Sequence, residues 1–309
     1  MQAMYQSLLV PIDGSAYSAR ALPVAAALAR RTGATLELVI VHDPSAYIPF
    51  VPGEVAIPVY DQELVDAHRA QDQRHLDEAV AQLAAAGITA RGHLLEGTIV
   101  EALNEQVATA RTDLVVMTTH GRSGFDRLRL GSVAASFLTR ATVPVLLVRG
   151  ALGDASLTES AALPTGRLLV PLDGSPFSES ILPHARRFAE ATGMTMHLVG
   201  VSVPHAMPMA PFGAESLLAD DSALQAEEAG RLTYLERIRA SAPSGTTDEA
   251  LTDMSVARAL LDVAEREEIG AIAMATHGRG GFKRLVLGSV ADEVIRHAHR
   301  PLLVYRPTT

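Results

Sequence analysis

Two successive α/β domains, each a doubly wound parallel sheet covered by helices on both faces, are predicted for this chain of 309 residues. Three observations carry that expectation. The sequence is written twice: LLVPIDGSAYSARALPVAAALARRTGATLELVIVHDP from Leu8 returns as LLVPLDGSPFSESILPHARRFAEATGMTMHLVGVSVP from Leu168, ungapped and about half identical. Each copy alternates short, nearly all-apolar runs with helical patterns, which is how strands buried on both faces of a parallel sheet read. Near its end each copy repeats a glycine-punctuated loop, MTTHGRSGFDRLRLGSVA and MATHGRGGFKRLVLGSVA.

The elements of the first copy follow in order. Ser7 to Ile12 is an apolar run of strand length, broken by Asp13-Gly14-Ser15, where Ser15 is a good helix N-cap. A helical pattern then runs to Thr32, with Gly33 as its stop. Pro23 lies inside it and should kink the helix or delay its start, and Pro183 repeats the irregularity in the second copy. Thr35 to Val41 reads as a strand, Asp61 to Ala86 as a long amphipathic helix ending at Gly87, and Ala90 to Leu95 as a third strand. A helix over Thr98–Thr109, a strand over Leu114–Thr118, a helix over Ser132–Ala141 and a strand over Pro144–Val148 complete the unit. Right-handed crossovers then leave essentially one three-layer arrangement. Residues 1–150 and 167–309 are the expected domains, with residues 151–166, rich in small and turn-forming residues, as linker.

Composition removes several function classes. Hydrophobic residues at 48% and charged residues at 20% describe a globular chain rather than a disordered one. No apolar stretch approaches the roughly 20 residues of a membrane span, and the N-terminus lacks the basic and apolar regions of a signal peptide. Cysteine is absent, so thiolate nucleophiles, disulfides and cysteine-ligated zinc are excluded. These features point to a cytoplasmic protein without a membrane partner. A formal charge of −9 and 4% aromatic residues argue against nucleic acid as a partner.

Ligands of such sheets bind beyond the carboxyl ends of the strands, where strand order reverses. Asp13 and Asp173 end the first strands there and could accept hydrogen bonds from ribose hydroxyls or an adenine amino group, or else simply close an Asx-turn. The glycine loops lead into helices at Ser132 and Ser289, where bare backbone N–H groups and the helix dipole favour a phosphate; Arg122, Arg127 and Arg129 lie in the first of them. P-loop, dinucleotide, G-x-S-x-G and H-E-x-x-H fingerprints are all missing. His120 and His277 precede the loops without a serine, cysteine or carboxylate pattern that would make a catalytic triad, so no catalytic residue is assigned. The stretches Ser45–Tyr60 and His205–Asp221 read as long loops, or as flaps over the crevices.

These residues resemble the universal stress protein family, and the whole chain resembles its tandem type. The resemblance rests on the aspartate after the first strand and on a loop of glycine, two residues, glycine, nine residues, glycine, then serine or threonine. It implies an adenine-nucleotide-binding, Rossmann-like three-layer sandwich in each half. The implied nucleotide contacts are Pro11, Asp13, Val41, Gly121, Arg122, Gly124, Gly131, Ser132 and Val133 in the first half. In the second they are Pro171, Asp173, Val201, Gly278, Arg279, Gly281, Gly288, Ser289 and Val290. Two departures stand out: the first glycine of the loop is Thr118 or Ala275, and Glu96-Gly97 of the first half is replaced by Asp253-Met254.

The expected function is an ATP-binding stress-response protein, with or without Mg2+, in which nucleotide occupancy sets conformation or the choice of a protein partner. A slow ATPase or nucleotidyl-transfer enzyme of the same broad fold is the alternative, and a nucleotide-free scaffold the third reading. The resemblance also implies that the halves pair through Val143–Arg149 and Arg300–Arg306 as a pseudo-two-fold pair, and admits a homodimer.

Overall fold

The structure is a computed structural model that describes residues 4–43, 62–119, 130–149, 157, 163–204, 221–276 and 287–307. The chain divides into two compact units, Met1–Leu163 and Pro164–Thr309.

In the first unit β1 (Ser7–Pro11), β2 (Thr35–His42), β3 (Ala90–Glu96), β4 (Leu114–Thr118) and β5 (Val145–Val148) form a sheet in the order β3-β2-β1-β4-β5. Every pairing is parallel, with Val10 opposite Leu38, Leu8 opposite Leu114 and Val115 opposite Val145. The connections are α1 (Ala16–Ala19), α2 (Ala21–Thr32), α3 (Gln62–Ala85), α4 (Ile99–Thr109) and α5 (Ser132–Leu138). Leu8, Leu9 and Val10 are fully buried, as expected for a strand with helices on both faces. Against it α2 buries an unbroken run from Ala21 to Ala29, where alanines permit close approach of the helix.

The second unit repeats the plan with β6 (Arg167–Pro171), β7 (Thr195–Ser202), β8 (Thr247–Thr252), β9 (Ile269–Ala275) and β10 (Leu302–Tyr305), in the order β10-β9-β6-β7-β8. Its helices are α6 (Pro176–Glu179), α7 (Leu182–Thr192), α8 (Asp221–Ala240), α9 (Val256–Arg266) and α10 (Ser289–His297).

The expected strand–helix alternation is present throughout, with boundary shifts that have local causes. Pro23 delays the main helix rather than kinking it. A single turn, α1, ends at Ala19, and α2 starts at Ala21 with the proline in its first turn, where no backbone N–H is needed. Gly33 and Gly193 stop α2 and α7 in the left-handed conformation, at φ 76° and 78°. The helix expected over Ser132–Ala141 ends earlier, at Leu138, because Thr139 and Arg140 turn the chain toward Pro144 and β5. Its N-cap is Gly131, so Ser132 is the first helical residue rather than a cap.

Candidate functional site

In each sheet the strand order reverses beside the first strand, between β1 and β4 and between β6 and β9. Crossovers leave the sheet to opposite sides there, which opens a crevice at the carboxyl ends of these strands.

One wall of the first crevice is the turn after β1. Asp13 Oδ1 accepts hydrogen bonds from the Ser15 N–H at 3.0 Å, Ser15 Oγ at 2.6 Å and Ser18 Oγ at 2.5 Å. Ser15 in turn caps α1 by accepting from the Ser18 N–H, and the Asp13 N–H donates to Ser18 Oγ. Asp173 Oδ1 accepts from Ser175 N–H at 2.9 Å and Ser175 Oγ at 2.6 Å, and the Asp173 N–H donates to Ser178 Oγ at 3.2 Å. The Asx-turn is therefore real, and it fixes each carboxylate at the rim. Gly14 makes the turn possible with φ 76°, and His75 of α3 packs so closely over it that a Cβ built there would overlap the imidazole Nδ1.

The opposite wall is the start of α5 or α10. Gly131 N–H donates to Thr119 O at 2.7 Å, and Gly288 N–H donates to Thr276 O at 2.7 Å. Both glycines lie at ordinary negative φ, −59° and −56°, so backbone strain would not oppose a side chain there. In both halves the serine that follows, Ser132 or Ser289, is exposed, and Val133 and Val290 are half-buried. Pro11, Val41, Pro171 and Val201 are half-buried at the ends of β1, β2, β6 and β7. Among the described residues, then, the structure brings the aspartates, the strand-end residues and the glycine–serine helix starts to one end of each sheet. Gly121, Arg122, Gly124, Arg127, Arg129, His120, Gly278, Arg279, Gly281 and His277 lie outside the described residues, as do most of the loops Ser45–Tyr60 and His205–Asp221.

The long helices contribute side chains that the repeat does not reveal, because this stretch is the least similar between the copies. In the first half Asp72 of α3 reaches His42, the last residue of β2, with Nδ1···Oδ2 2.9 Å and both side chains buried. Nearby Arg69 pairs with Glu96 at 2.9 Å. In the second half Arg231 of α8 occupies the same place and its Nε donates to Ser202 Oγ at 2.8 Å. Three residues further, Tyr234 donates its hydroxyl to Glu179 at 3.0 Å. Burial first, then Glu179 and Asp173, push that phenol well above its ordinary range. One signal was readable: Asp72 falls in line with Leu76, Ala79 and Leu83 on the buried stripe of α3, where a lone carboxylate requires a partner.

The edge at Glu96-Gly97 differs as the sequence suggests. Gly97 sits at φ 116° and its N–H donates to His42 O at 3.1 Å. Asp253 makes the matching bond to Ser202 O at 3.0 Å, and its carboxylate accepts from the Ser255 N–H at 2.8 Å. One more residue, Met254, intervenes before the cap Ser255 and is 74% exposed.

Comparison with known proteins agrees with this reading of the fold. Residues 4–149 and 164–306 each match the model of the universal stress protein family. A universal stress protein of Mycolicibacterium smegmatis is 28% identical over 97% of this chain and 97% of its own length. The crystal structure of a universal stress protein from Archaeoglobus fulgidus covers 98% of both chains with a TM-score of 0.67 at 21% identity, which is a likeness of fold. A universal stress protein 27% identical over 47% of this chain, with a TM-score of 0.36, was solved in complex with cAMP.

Proposed function

This chain belongs to the universal stress protein family, whose domain it carries twice, and we propose that each half binds an adenine nucleotide, ATP in the first instance, whose occupancy sets conformation or the choice of a protein partner. One observation carries the reading. A rim carboxylate and a glycine–serine helix start stand at the carboxyl ends of the two strands that flank the switch point, and the arrangement occurs twice in one chain.

Each part has a chemical task. The starts of α5 and α10 offer N–H groups and a favourable partial charge to phosphate oxygens. Asp13 and Asp173 suit ribose hydroxyls, and the strand-end backbone at Val41 and Val201 suits the base. We propose a sensor rather than an efficient enzyme. Phosphoryl transfer requires a positioned base and charge stabilisation at the phosphates, and the described walls offer mainly glycine, serine and turn-bound carboxylates. Equilibrium binding of ATP to the purified chain, with recovered nucleotide analysed for hydrolysis, tests the reading. Bound, unhydrolysed ATP supports it, rapid turnover replaces it with the enzyme, and no binding leaves the scaffold.

A further inference from the structure

In each half the long helix reaches the aspartate turn, and the two halves make that contact by different means. His75 of α3 and Tyr234 of α8 hold the same place. Each directly precedes the buried leucine of its helix, Leu76 or Leu235, and follows by three the residue that reaches the end of the second strand, Asp72 or Arg231. In the first half the contact is steric. The imidazole of His75 lies over Gly14, the middle residue of the turn Asp13-Gly14-Ser15, so closely that a Cβ built there would also come within 2.8 Å of Cε1 and 3.1 Å of Cγ. A ring packed on the backbone in this way blocks movement of the turn toward the helix.

In the second half the contact is a chain of hydrogen bonds. The Tyr234 hydroxyl donates to Glu179, the last residue of α6, at 3.0 Å. The Glu179 N–H donates to the Ser175 carbonyl at 3.1 Å, and Ser175 holds Asp173 through its own N–H and Oγ. Arg237, one turn along α8, lies over the Tyr234 ring with Cζ 5.6 Å from its centroid. The raised phenol keeps its proton and so remains the donor. The substitutions between the halves come in pairs. Ala19 stands where Glu179 does, last in the one-turn helix, and its methyl cannot accept a hydrogen bond. The half with alanine there seats a ring directly on the glycine, and the half with tyrosine supplies the carboxylate that receives the hydroxyl.

We infer that His75 and Tyr234 are positioning residues for the ribose: each braces the turn from the long helix, so that Asp13 or Asp173 already stands in its binding geometry before a nucleotide arrives. This rests on the adenine-nucleotide reading of both crevices. A site holds its ligand tightly when packing and supporting hydrogen bonds fix its side chains beforehand. A carboxylate on an unbraced turn must instead be ordered by the ligand, and ordering one side chain weakens binding by roughly 2- to 12-fold. That loss falls on the ribose hydroxyls, because they are what the carboxylate binds.

The test compares ATP with 2′,3′-dideoxy-ATP, which keeps the base and phosphates and lacks both ribose hydroxyls. Calorimetry on the full chain carrying Gly288→Val reports the first half, and on the chain carrying Gly131→Val the second. ATP should bind each half at least about tenfold more tightly than the dideoxy nucleotide, the low end for a hydrogen bond to a charged group. His75→Ala in the first half and Tyr234→Phe in the second should reduce that ratio by roughly 2- to 12-fold and leave the affinity for dideoxy-ATP unchanged. Glu179→Gln, which still accepts the hydroxyl, should keep the ratio. Circular dichroism checks folding, and Tyr234→Phe, which removes a single oxygen, keeps the test decisive if His75→Ala does not fold. Equal weakening of both nucleotides, or an unchanged ratio, would show that these residues do not position the carboxylates. If the unbraced and wild-type chains alike bind the two nucleotides equally, the inference is wrong and nucleotide binding stands. If neither nucleotide binds wild type, both are wrong.

Discussion

His42 Nδ1 and Asp72 Oδ2 lie 2.9 Å apart, with the two side chains only 1% and 7% exposed. The pair ties the last residue of β2 to the middle of α3. It thereby fixes the strand end whose backbone, at Val41, borders the first crevice. Breaking a buried pair leaves one polar group without its partner in a dry environment. Asp72→Ala should destabilise the first half by about 3 kcal/mol or more. His42→Ala should cost a similar amount, and the double variant less than the two together, as chemical denaturation of the four proteins would reveal. Additive losses would show that the contact contributes nothing of its own.

Gly14 is required twice over, by its φ of 76° and by the imidazole of His75 packed on it. Gly14→Ala should therefore destabilise by roughly 1–3 kcal/mol. Adding His75→Ala should recover the steric share and leave the backbone strain. Gly33→Ala is the control, since nothing lies within 4 Å of a Cβ there and only the conformational cost remains. Equal losses at the two glycines would mean that His75 is not a constraint.

Much of this architecture is legible from the amino-acid order alone. Ser7–Pro11 and Leu114–Thr118 are apolar on both faces, so they could only be inner parallel strands, and the order of the repeat then forces the topology. The aspartate turns were legible because Ser15 and Ser18 recur as Ser175 and Ser178 at unchanged spacing. The helix wall was not. His42–Asp72 and Ser202–Arg231 join residues about thirty apart through helix packing, and the two copies solve the contact with unrelated side chains, so repetition gives no clue. Nor does a helix pattern disclose that Tyr234 of α8 will meet Glu179 of α6.

His184 of α7 packs against Tyr305, with ring centroids 4.1 Å apart and the planes tilted by 46°, and burial together with Arg187 depresses its pKa to about 4. A histidine held neutral in the fold but free to protonate near 6.5 when unfolded opposes folding once the pH falls below that value. Stability should thus decline from pH 6.5 to about 4 and the penalty then level off, amounting to at most about 3 kcal/mol. Melting curves of wild type and His184→Phe across this range should converge near neutrality and part in acid, with the variant the more stable. Parallel curves would show that His184 does not contribute.

Asp13 and Asp173 hold their turns and, on the proposed reading, the ribose. Alanine at either position should weaken ATP at that half by roughly 10- to 150-fold, the range for losing a hydrogen bond to a charged group. Asparagine preserves the acceptor toward Ser15 or Ser175 and removes the charge, so Asp13→Asn should keep the turn and still lose affinity. Titration of a fluorescent ATP analogue alongside thermal melting separates the two roles. If Asp13→Asn and Asp173→Asn bind as wild type does, the carboxylates serve only their turns.

The central claim, that the glycine–serine helix starts cradle phosphate, is tested most directly by thermal unfolding with and without ATP. At 100 times its dissociation constant a ligand stabilises by about 2.7 kcal/mol. Wild type should therefore melt several degrees higher with ATP. The chain carrying Gly131→Val and Gly288→Val, shown by circular dichroism to remain folded, should show no shift, because the added side chains occupy the space of the phosphates. A shift in that variant as large as in wild type would contradict the account and place the nucleotide elsewhere.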